Sequence, residues 1–578
     1  MRRFLLTVLL TLAVAAAAYA ADEDFNFVIL GDRTGGHVPG VYGEIVGEIN
    51  RMGPEIVVTV GDQIEGYTED RAVLKEQWDE YWEIAGALEA PLYVCPGNHD
   101  IYNDVMCEEW KSRTDREPCY SFDYKGVHFV MLDTGRWETS EDWLAESGYR
   151  EWLEEDLAAH KGDRMTVAIY HIPYWYETLA EGEADPLHEI LVAGGVDAVF
   201  NGHFHTYGHA EYDGIPYTMV GSSGGGFGDE AEYRGAFFHY VWCTVRGDEL
   251  SWAVLKKDSA RPEGAVAVAD LKTIESVEYE YVQLPAVHYA EGDVAYTVYV
   301  ENGTENDITV PVAWDAPDNW NVEPATAEAT LAPGESTEIA FTASPSGDMY
   351  PLPEATISYP YRGEMIHEVT RSLSACRTQP VTAVAETPTI DGDLGDACWA
   401  AAGRADYFCA VDGSAVTIDP TTFYFAYDEK NLYVAARCEQ EDMGALVVTG
   451  AERDDFVHND DCVGFFIWPD IQEEKFYQVY ANADGVVYDI SYTFGPGDLD
   501  TEGAAAWNGE YEIATGRGDD CWTFEAAIPV ASLGGEDIIS GDEWRINFRR
   551  KEQAKGASAD WQYPIGFDPS RFGYLAFQ

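Results

Sequence analysis

Short apolar runs in the first half of the chain end, one after another, in residues that bind cations. Asp32 follows Phe25–Leu30 within Gly31-Asp32-Arg33-Thr34-Gly35-Gly36, and Asp62 follows Ile56–Val60 after Gly61. Asn98 and His99 follow Leu92–Cys95 within Pro96-Gly97-Asn98-His99-Asp100. His171 follows Thr166–Tyr170, and His203 and His205 follow Ala198–Phe200 within Asn201-Gly202-His203-Phe204-His205. Carboxylate and amide oxygens mixed with imidazole nitrogens suit Zn, Mn or Fe better than the all-oxygen sites of calcium or magnesium. A lone Gly-Asp reads as a turn, and a lone histidine as a satisfied core residue. It is the order and strand placement of all five segments that point to one divalent-metal site. The neighbouring glycines permit the sharp turns such a site needs.

The elements that must position these residues alternate along the chain. Phe25–Leu30, Ile56–Val60, Leu92–Cys95, Phe129–Leu132, Thr166–Tyr170 and Ala198–Phe200 read as buried strands. Val41–Met52, Arg71–Leu88, Tyr149–His160 and Pro186–Ala193 carry helical spacing between them. Tyr217–Val220, Phe237–Val245 and Leu250–Leu255 add further strands. The expectation is an α/β layered domain over residues 22–258, with polar groups at the strand ends where α/β sheets build sites. Beyond Lys257 helical spacing disappears. Residues 277–375 alternate strand and turn and read as a β-sandwich, and residues 384–578 form a second all-β block rich in Trp and Tyr. Residues 259–276 and 375–383 are the expected linkers.

Composition bounds the rest. The 578 residues exceed one ordinary domain, and 46% apolar with 13% aromatic content supplies real cores. Against 104 acidic residues stand 35 basic ones, a formal charge of −69, which repels phosphate backbones and excludes duplex nucleic acid as a charge-bound partner. Met1-Arg2-Arg3, the apolar run Phe4–Ala18 and Ala18-Tyr19-Ala20 read as a cleaved signal peptide over residues 1–20, with no membrane span in the mature chain. The expected location is therefore secreted, extracellular or periplasmic. Ten cysteines fit an oxidising compartment; Cys107 and Cys119 bracket a polar loop and are the expected disulfide, with further pairs among Cys398, Cys409, Cys438, Cys462 and Cys521.

Over residues 25–255 the ordered motifs resemble the calcineurin-like metallophosphoesterases, the superfamily that includes the purple acid phosphatases. The resemblance implies a four-layer α/β sandwich with two divalent ions (Mn, Fe or Zn) at the strand ends. It implies that Asp62 bridges both ions, that Asp32 and His205 hold one, and that Asn98, His171 and His203 hold the other. His99 would be the histidine that meets the phosphate or protonates the leaving group. The implied reaction is hydrolysis of a phosphate mono- or diester, the ions lowering the pKa of a shared water so that hydroxide attacks phosphorus in line. Two positions depart from the pattern. Thr34 stands where many members carry histidine, so the first ion is held more loosely, completed by water, or held by His37 from the same loop. Glu65 stands three residues after Asp62, so no charge-transfer tyrosine is expected there. Arg33 either faces the phosphate or pairs with a nearby carboxylate.

The middle block, with Trp314, Trp320 and Leu331-Ala332-Pro333-Gly334, resembles an immunoglobulin-like spacer. The last block opens on Ile390-Asp391-Gly392-Asp393-Leu394-Gly395-Asp396-Ala397-Cys398-Trp399 and closes on Phe572-Gly573-Tyr574-Leu575. It resembles family 9 carbohydrate-binding modules and their DOMON-like relatives, implying a polysaccharide or cell-surface glycan as partner. Trp468, Trp507, Trp561 and Tyr563 are candidate sugar platforms, and Asp391, Asp393, Asp460 and Asp461 candidate ligands of a structural calcium ion. Arg549 and Arg550 share a strand, so at most one faces a sugar cleft. In the first domain Tyr102, Trp137, Trp175 and Tyr176 are candidate pocket walls, and Ser222–Gly226 reads as a flexible lip. The expected protein is a secreted metal-dependent phosphoesterase with a carbohydrate-binding module. The alternative is a weakly catalytic or non-catalytic glycan-binding protein with a degenerate metal site, for which Thr34 speaks.

Overall fold

The computed structural model describes residues 24–578 except 229, 258, 290–291, 347–348, 407, 411–415, 470–474, 495–498, 501–506, 536 and 564–571. The expected signal segment lies outside the described residues. The chain divides into two compact units, one running through Glu275 and one from Ser276 onward.

Strands of the first unit are, in chain order, β1 Phe25–Leu30, β2 Ile56–Thr59, β3 Leu92–Tyr93, β4 Tyr120–Tyr124, β5 Val127–Leu132, β6 Met165–Tyr170, β7 Ala198–Asn201, β8 Gly208–Tyr212, β9 Ile215–Met219, β10 Tyr240–Arg246, β11 Glu249–Lys256 and β12 Ser259–Pro262. They form two six-stranded sheets, ordered β12-β11-β10-β1-β2-β3 and β4-β5-β6-β7-β9-β8. In the first, β1, β2 and β3 run parallel and Phe27 stands opposite Ile56; in the second, β5, β6, β7 and β9 run parallel. Alternate residues of β1 serve different cores. Phe27 and Ile29 pack in one cluster with Phe129, Met131, Val167 and Ile169 of the other sheet, whereas Val28 and Leu30 pack with helical Ile45, Ile49, Trp78 and Tyr81. Burial on both faces is why these strands read as unbroken apolar runs.

The helices begin and end where the sequence supplies caps. Helix α1 (Val41–Met52) stops at Gly53, whose left-handed backbone lets its N–H reach the Ile49 carbonyl. Helix α2 (Arg71–Ala85) starts from Asp70, whose carboxylate accepts from the Ala72 N–H, and it buries Leu74, Trp78, Tyr81 and Ala85 along one face. Helices α3 (Asn98–Ile101) and α4 (Asp104–Thr114) have little apolar signal, since α4 buries only Met106 and Trp110.

Several expectations are corrected. The first unit reaches past residue 258: β12 extends the sheet, and helix Val268–Ser276 buries Val268, Leu271 and Ile274, so this stretch is no free linker. No disulfide joins any of the ten cysteines. Cys119 lies in the cluster between the sheets, with its sulfur accepting from the Asp133 N–H at 3.2 Å, while Cys107 on α4 packs against the helical cluster, so the two thiols face different cores.

Within the second unit, Val282–Gln283 and the strands of residues 294–372 form two four-stranded sheets with strict alternation in Ile308–Asp315, and the remaining strands make a larger, aromatic-rich sheet system. Residues 375–383, expected as a linker, are a strand pairing with Gly573–Phe577 and Thr421–Tyr427.

Candidate metal centre

The loops that leave the carboxyl ends of β1, β2, β3, β6 and β7 bring their polar residues to one place. Asp32 and Asp62 are buried, and together with His171 they place one ligand atom each within 4.8 Å of one another. His171 Nε2 stands 3.2 Å from Asp62 Oδ2 and its Nδ1 3.8 Å from Asp32 Oδ1. His205 Nε2 lies 3.4 Å from Asp32 Oδ2, and His203 Nδ1 lies 3.0 Å from Asn98 Oδ1. Backbone donors fix the carboxylates: the His203 N–H reaches Asp32 Oδ2 at 2.7 Å and the His99 N–H reaches Asp62 Oδ1 at 3.0 Å. All six expected ligands thus converge in two touching groups, Asp32 with His205 and Asn98 with His203, joined by Asp62 and His171.

The backbone is strained to achieve this. Among the described residues, eight non-glycine residues have positive φ, and they include Asp62 (56°), His203 (80°) and His205 (52°). Gly61, at φ 125°, would place a Cβ 2.4 Å from His171 Nδ1, and a Cβ on Gly97 would lie 2.1 Å from Asp62 Oδ1. Neither position admits a side chain.

The donor set fits divalent ions. His171 Nδ1 donates to the Val60 carbonyl at 3.0 Å, which turns its Nε2 toward the Asp62 carboxylate. Neither His171 Nε2 nor Asp32 Oδ1 finds a hydrogen-bond partner despite complete burial. Metal-ligating atoms gathered in a dry setting beside two carboxylates call for positive charge, from a cation or a proton. Burial pushes the His171 pKa down, yet Asp62 and then Asp32 outweigh it and raise it to about 9, while burial beside His171 pushes His203 down to about 4. Burial raises Asp32 well above the usual carboxylate range.

The other expected site residues fall differently. His99 lies beside the centre with Nδ1 2.7 Å from the Glu65 carbonyl oxygen, so Nδ1 carries a proton and Nε2 remains for chemistry. Arg33 does not face the centre. Its guanidinium is buried, 2.5 Å from Glu80 and donating to the Gln63 carbonyl at 2.8 Å, which decides for the carboxylate pairing. His37 is turned to Glu65, its Nδ1 2.8 Å from Oε1, and so does not stand in for the histidine replaced by Thr34. Burial raises the Glu65 carboxyl, but the Thr34 hydroxyl and the His37 and Gly36 N–H groups outweigh it and hold it at about 2.

The sequence reading misjudged one group and missed another. Ser222–Gly226 is a buried shelf, not a flexible lip: the Ser223 and Gly225 N–H groups donate to the Asp32 carbonyl, and Gly31 N–H donates to Ser223 Oγ at 2.8 Å. Tyr67 sits between Asn98 and His99, its hydroxyl 2.5 Å from Asn98 Nδ2 and its ring edge-on to His99 at 4.6 Å. Its only signal was proximity to Asp62. Trp175 and Tyr176 are buried and serve the core, Trp175 donating to Asn201. Tyr102 is exposed against Tyr67.

In the second unit the expected sugar contacts are mostly structural. Trp561 and Trp468 are buried in separate clusters, Trp507 packs half-buried on Tyr477, and Tyr563 is held through its N–H by the Tyr350 hydroxyl. Arg550 is buried near Asp461 and Arg549 is paired with Asp560, so neither opens on a cleft. The calcium expectation meets occupied carboxylates: Asp460 accepts from Thr449, Gly450 and Asn482, Asp461 from Val447 and Gln553, and Asp391 from the Asp393 N–H. Among the described residues of 384–578 the exposed aromatic ring is Phe456, 66% accessible, grouped with His458 and Tyr488.

Comparison with known proteins agrees with this division. Residues 24–207 match the calcineurin-like phosphoesterase family and residues 390–576 the carbohydrate family 9 binding domain-like family. Purple acid phosphatase 15 of Arabidopsis thaliana is 33% identical over 180 residues, 26% of this chain and 32% of the relative. The serine/threonine-protein phosphatase CPPED1 of Bos taurus is 25% identical over 199 residues, 31% of this chain and 63% of the relative. The chain thus spans less than two thirds of the length of either. Among solved structures, a family 9 carbohydrate binding module from Caldicellulosiruptor kristjanssonii in complex with cellotriose is 17% identical, covering 35% of this chain and 93% of that one with a TM-score of 0.26. A dimetal phosphatase from Danio rerio is 14% identical, covering 42% and 99%, with a TM-score of 0.31. The chain therefore carries a calcineurin-like metallophosphoesterase domain in its N-terminal part and a carbohydrate family 9 binding domain in its C-terminal part.

Proposed function

We propose that the protein is an exported, metal-dependent phosphoester hydrolase whose C-terminal module holds it on a glycan. The observation that carries the hydrolase reading is the buried confrontation of His171 Nε2, Asp62 and Asp32, a cation-binding set in which His171 Nε2 and Asp32 Oδ1 find no hydrogen-bond partner. In this reading Asp32 and His205 would hold one ion and Asn98, His171 and His203 the other, with the Asp62 carboxylate available to both. Two divalent ions there would supply a water of lowered pKa and offset the charge of the phosphoryl group.

The chain's own residues do the rest. The Glu65 carbonyl fixes the tautomer of His99, so that Nε2 is the atom that gives or takes a proton at the leaving oxygen. Arg33 orders the Asp32 loop through Glu80 and the Gln63 carbonyl and contributes no contact to the phosphate. The four-layer arrangement that goes with this reading is supported by the alternation of β1 residues between two cores. On the second module, Phe456 with Tyr488 replaces the expected tryptophans as the sugar platform, because an exposed ring face is what a pyranose stacks on. Export rests on the first twenty residues.

The test is hydrolysis of p-nitrophenyl phosphate and bis(p-nitrophenyl) phosphate by purified protein loaded in turn with manganese, zinc and iron, with bound metal counted. Two ions and turnover support the reading. One ion or none, with no turnover under any metal, returns the glycan-binding alternative that Thr34 favours.

A further inference from the structure

The described residues of the first unit include three exposed aromatic rings: Tyr67 at 51%, Tyr102 at 57% and Phe204 at 38% accessible. All three lie against the candidate metal centre and none elsewhere. Tyr102 packs on Tyr67 with ring centres 4.9 Å apart, and Tyr67 reaches Asn98 through its hydroxyl. Asn98 Oδ1 meets His203, whose ring stands 5.1 Å from Phe204. Phe204 in turn rests on buried Tyr176 at 5.2 Å. A line of ring surface therefore runs past the Asn98–His203 side of the centre and past His99, which touches Tyr67 edge-on at 4.6 Å.

Leaving large rings in water is unfavourable, and elsewhere in this unit the aromatic residues are buried or half-buried. Tyr67 also holds a left-handed backbone, φ 49°, a strained conformation of the kind that collects at ligand sites. We infer that Tyr67, Tyr102 and Phe204 form a recognition wall for the leaving group, and that the substrate is a phosphoester whose leaving group presents a flat ring face. This rests on the hydrolase reading and narrows it. With the phosphoryl group bound at the Asp32–Asp62–His171 centre, the leaving oxygen would face His99 and the ring attached to that oxygen would lie along the wall. An aryl ring and the C–H face of a pyranose offer the same chemistry to Tyr and Phe faces. A small acyclic alcohol offers none of it.

Binding of non-hydrolysable phosphonates to the metal-loaded full chain separates this contact from leaving-group reactivity. Phenylphosphonate and a glucosyl phosphonate are titrated against methylphosphonate by calorimetry, with wild type, Tyr102→Ala and Phe204→Ala. We expect at least one ring phosphonate to bind roughly twofold to tenfold more tightly than methylphosphonate, as aromatic contacts of this kind provide. Either variant should shrink that ratio toward one, and whichever ring is preferred tells an aryl from a glycosyl substrate. Equal binding of all three phosphonates, or a ring preference untouched in both variants, overturns the inference while leaving the hydrolase reading intact. Binding of none of them, together with no turnover under any metal, overturns both.

Discussion

The Asn98 side-chain amide donates from Nδ2 to the Tyr67 hydroxyl at 2.5 Å, and this turns its oxygen to His203 Nδ1 at 3.0 Å. An asparagine can present either end of its amide to a cation, and only the oxygen is a ligand. Tyr67 makes that choice for Asn98. Replacing Tyr67 with Phe keeps the ring and the backbone but frees the amide to turn. Affinity for the second ion should fall roughly tenfold to a hundredfold, as loss of an orienting partner does at metal sites. Competitive chelator titration reads this directly, and an unchanged affinity would remove Tyr67 from this role.

His99 and Asp62 are linked by a backbone hydrogen bond yet have separable duties. His99→Ala leaves its own N–H, so Asp62 stays positioned and bound metal should match the wild type. Turnover should drop by roughly two to four orders of magnitude, the range of a lost general acid. Asp62→Asn should lose metal and turnover together. Metal counting beside a rate measurement distinguishes the two, and a His99→Ala protein that fails to bind metal would contradict the assignment.

Most of the frame was legible because β1, β2, β5 and β6 are buried on both faces, which forces unbroken apolar runs bounded by Gly-rich turns. The ligands were legible for the same reason, since each follows a run. Contacts between distant loops were not. Arg33 against Glu80, His37 against Glu65 and the Ser222–Gly226 shelf under Asp32 join segments separated by 28 to 190 residues, roughly, and no local pattern records such pairings. Disulfides failed differently. Cys107 and Cys119 are near in sequence, but a helix that buries only Met106 and Trp110 turns one thiol away from the other.

Arg33 and Glu80 are unequal partners: the guanidinium is 4% exposed and the carboxylate 50%. Removing Glu80 leaves a buried cation with the Gln63 carbonyl and the Tyr81 ring face but no counter-charge, so Glu80→Ala should destabilise the first unit by about 1–3 kcal/mol. Exposed ion pairs on α2, such as Lys75 with Asp79, should matter far less when broken. Because Arg33 does not reach the centre, the Michaelis constant of Glu80→Ala should stay at the wild-type value. Urea denaturation and steady-state kinetics check the two halves, and a raised Michaelis constant with unchanged stability would return Arg33 to the phosphate.

Asp133, just after β5, gives the first unit a pH dependence with a definite sign. Burial raises its carboxyl to about 7, against the partial opposition of the Gly135 N–H, which donates to Oδ1 at 3.0 Å. In the unfolded chain the group titrates near ~3.9. Between those values the folded protein keeps a proton that the unfolded chain has released, so folding binds protons there. The stabilisation is fully present below pH ~4, is lost as pH rises toward 7, and changes little above it. An asparagine at this position stays neutral throughout and fills nearly the same volume. Between pH 5 and pH 8 the wild type should therefore lose on the order of 2–3 kcal/mol more stability than Asp133→Asn. Every other titrating group is shared by the two proteins, so the difference of the two pH slopes isolates Asp133. Parallel slopes in chemical denaturation would mean that the carboxyl is already ionised at pH 5 inside the fold, and that donors other than Gly135 reach it.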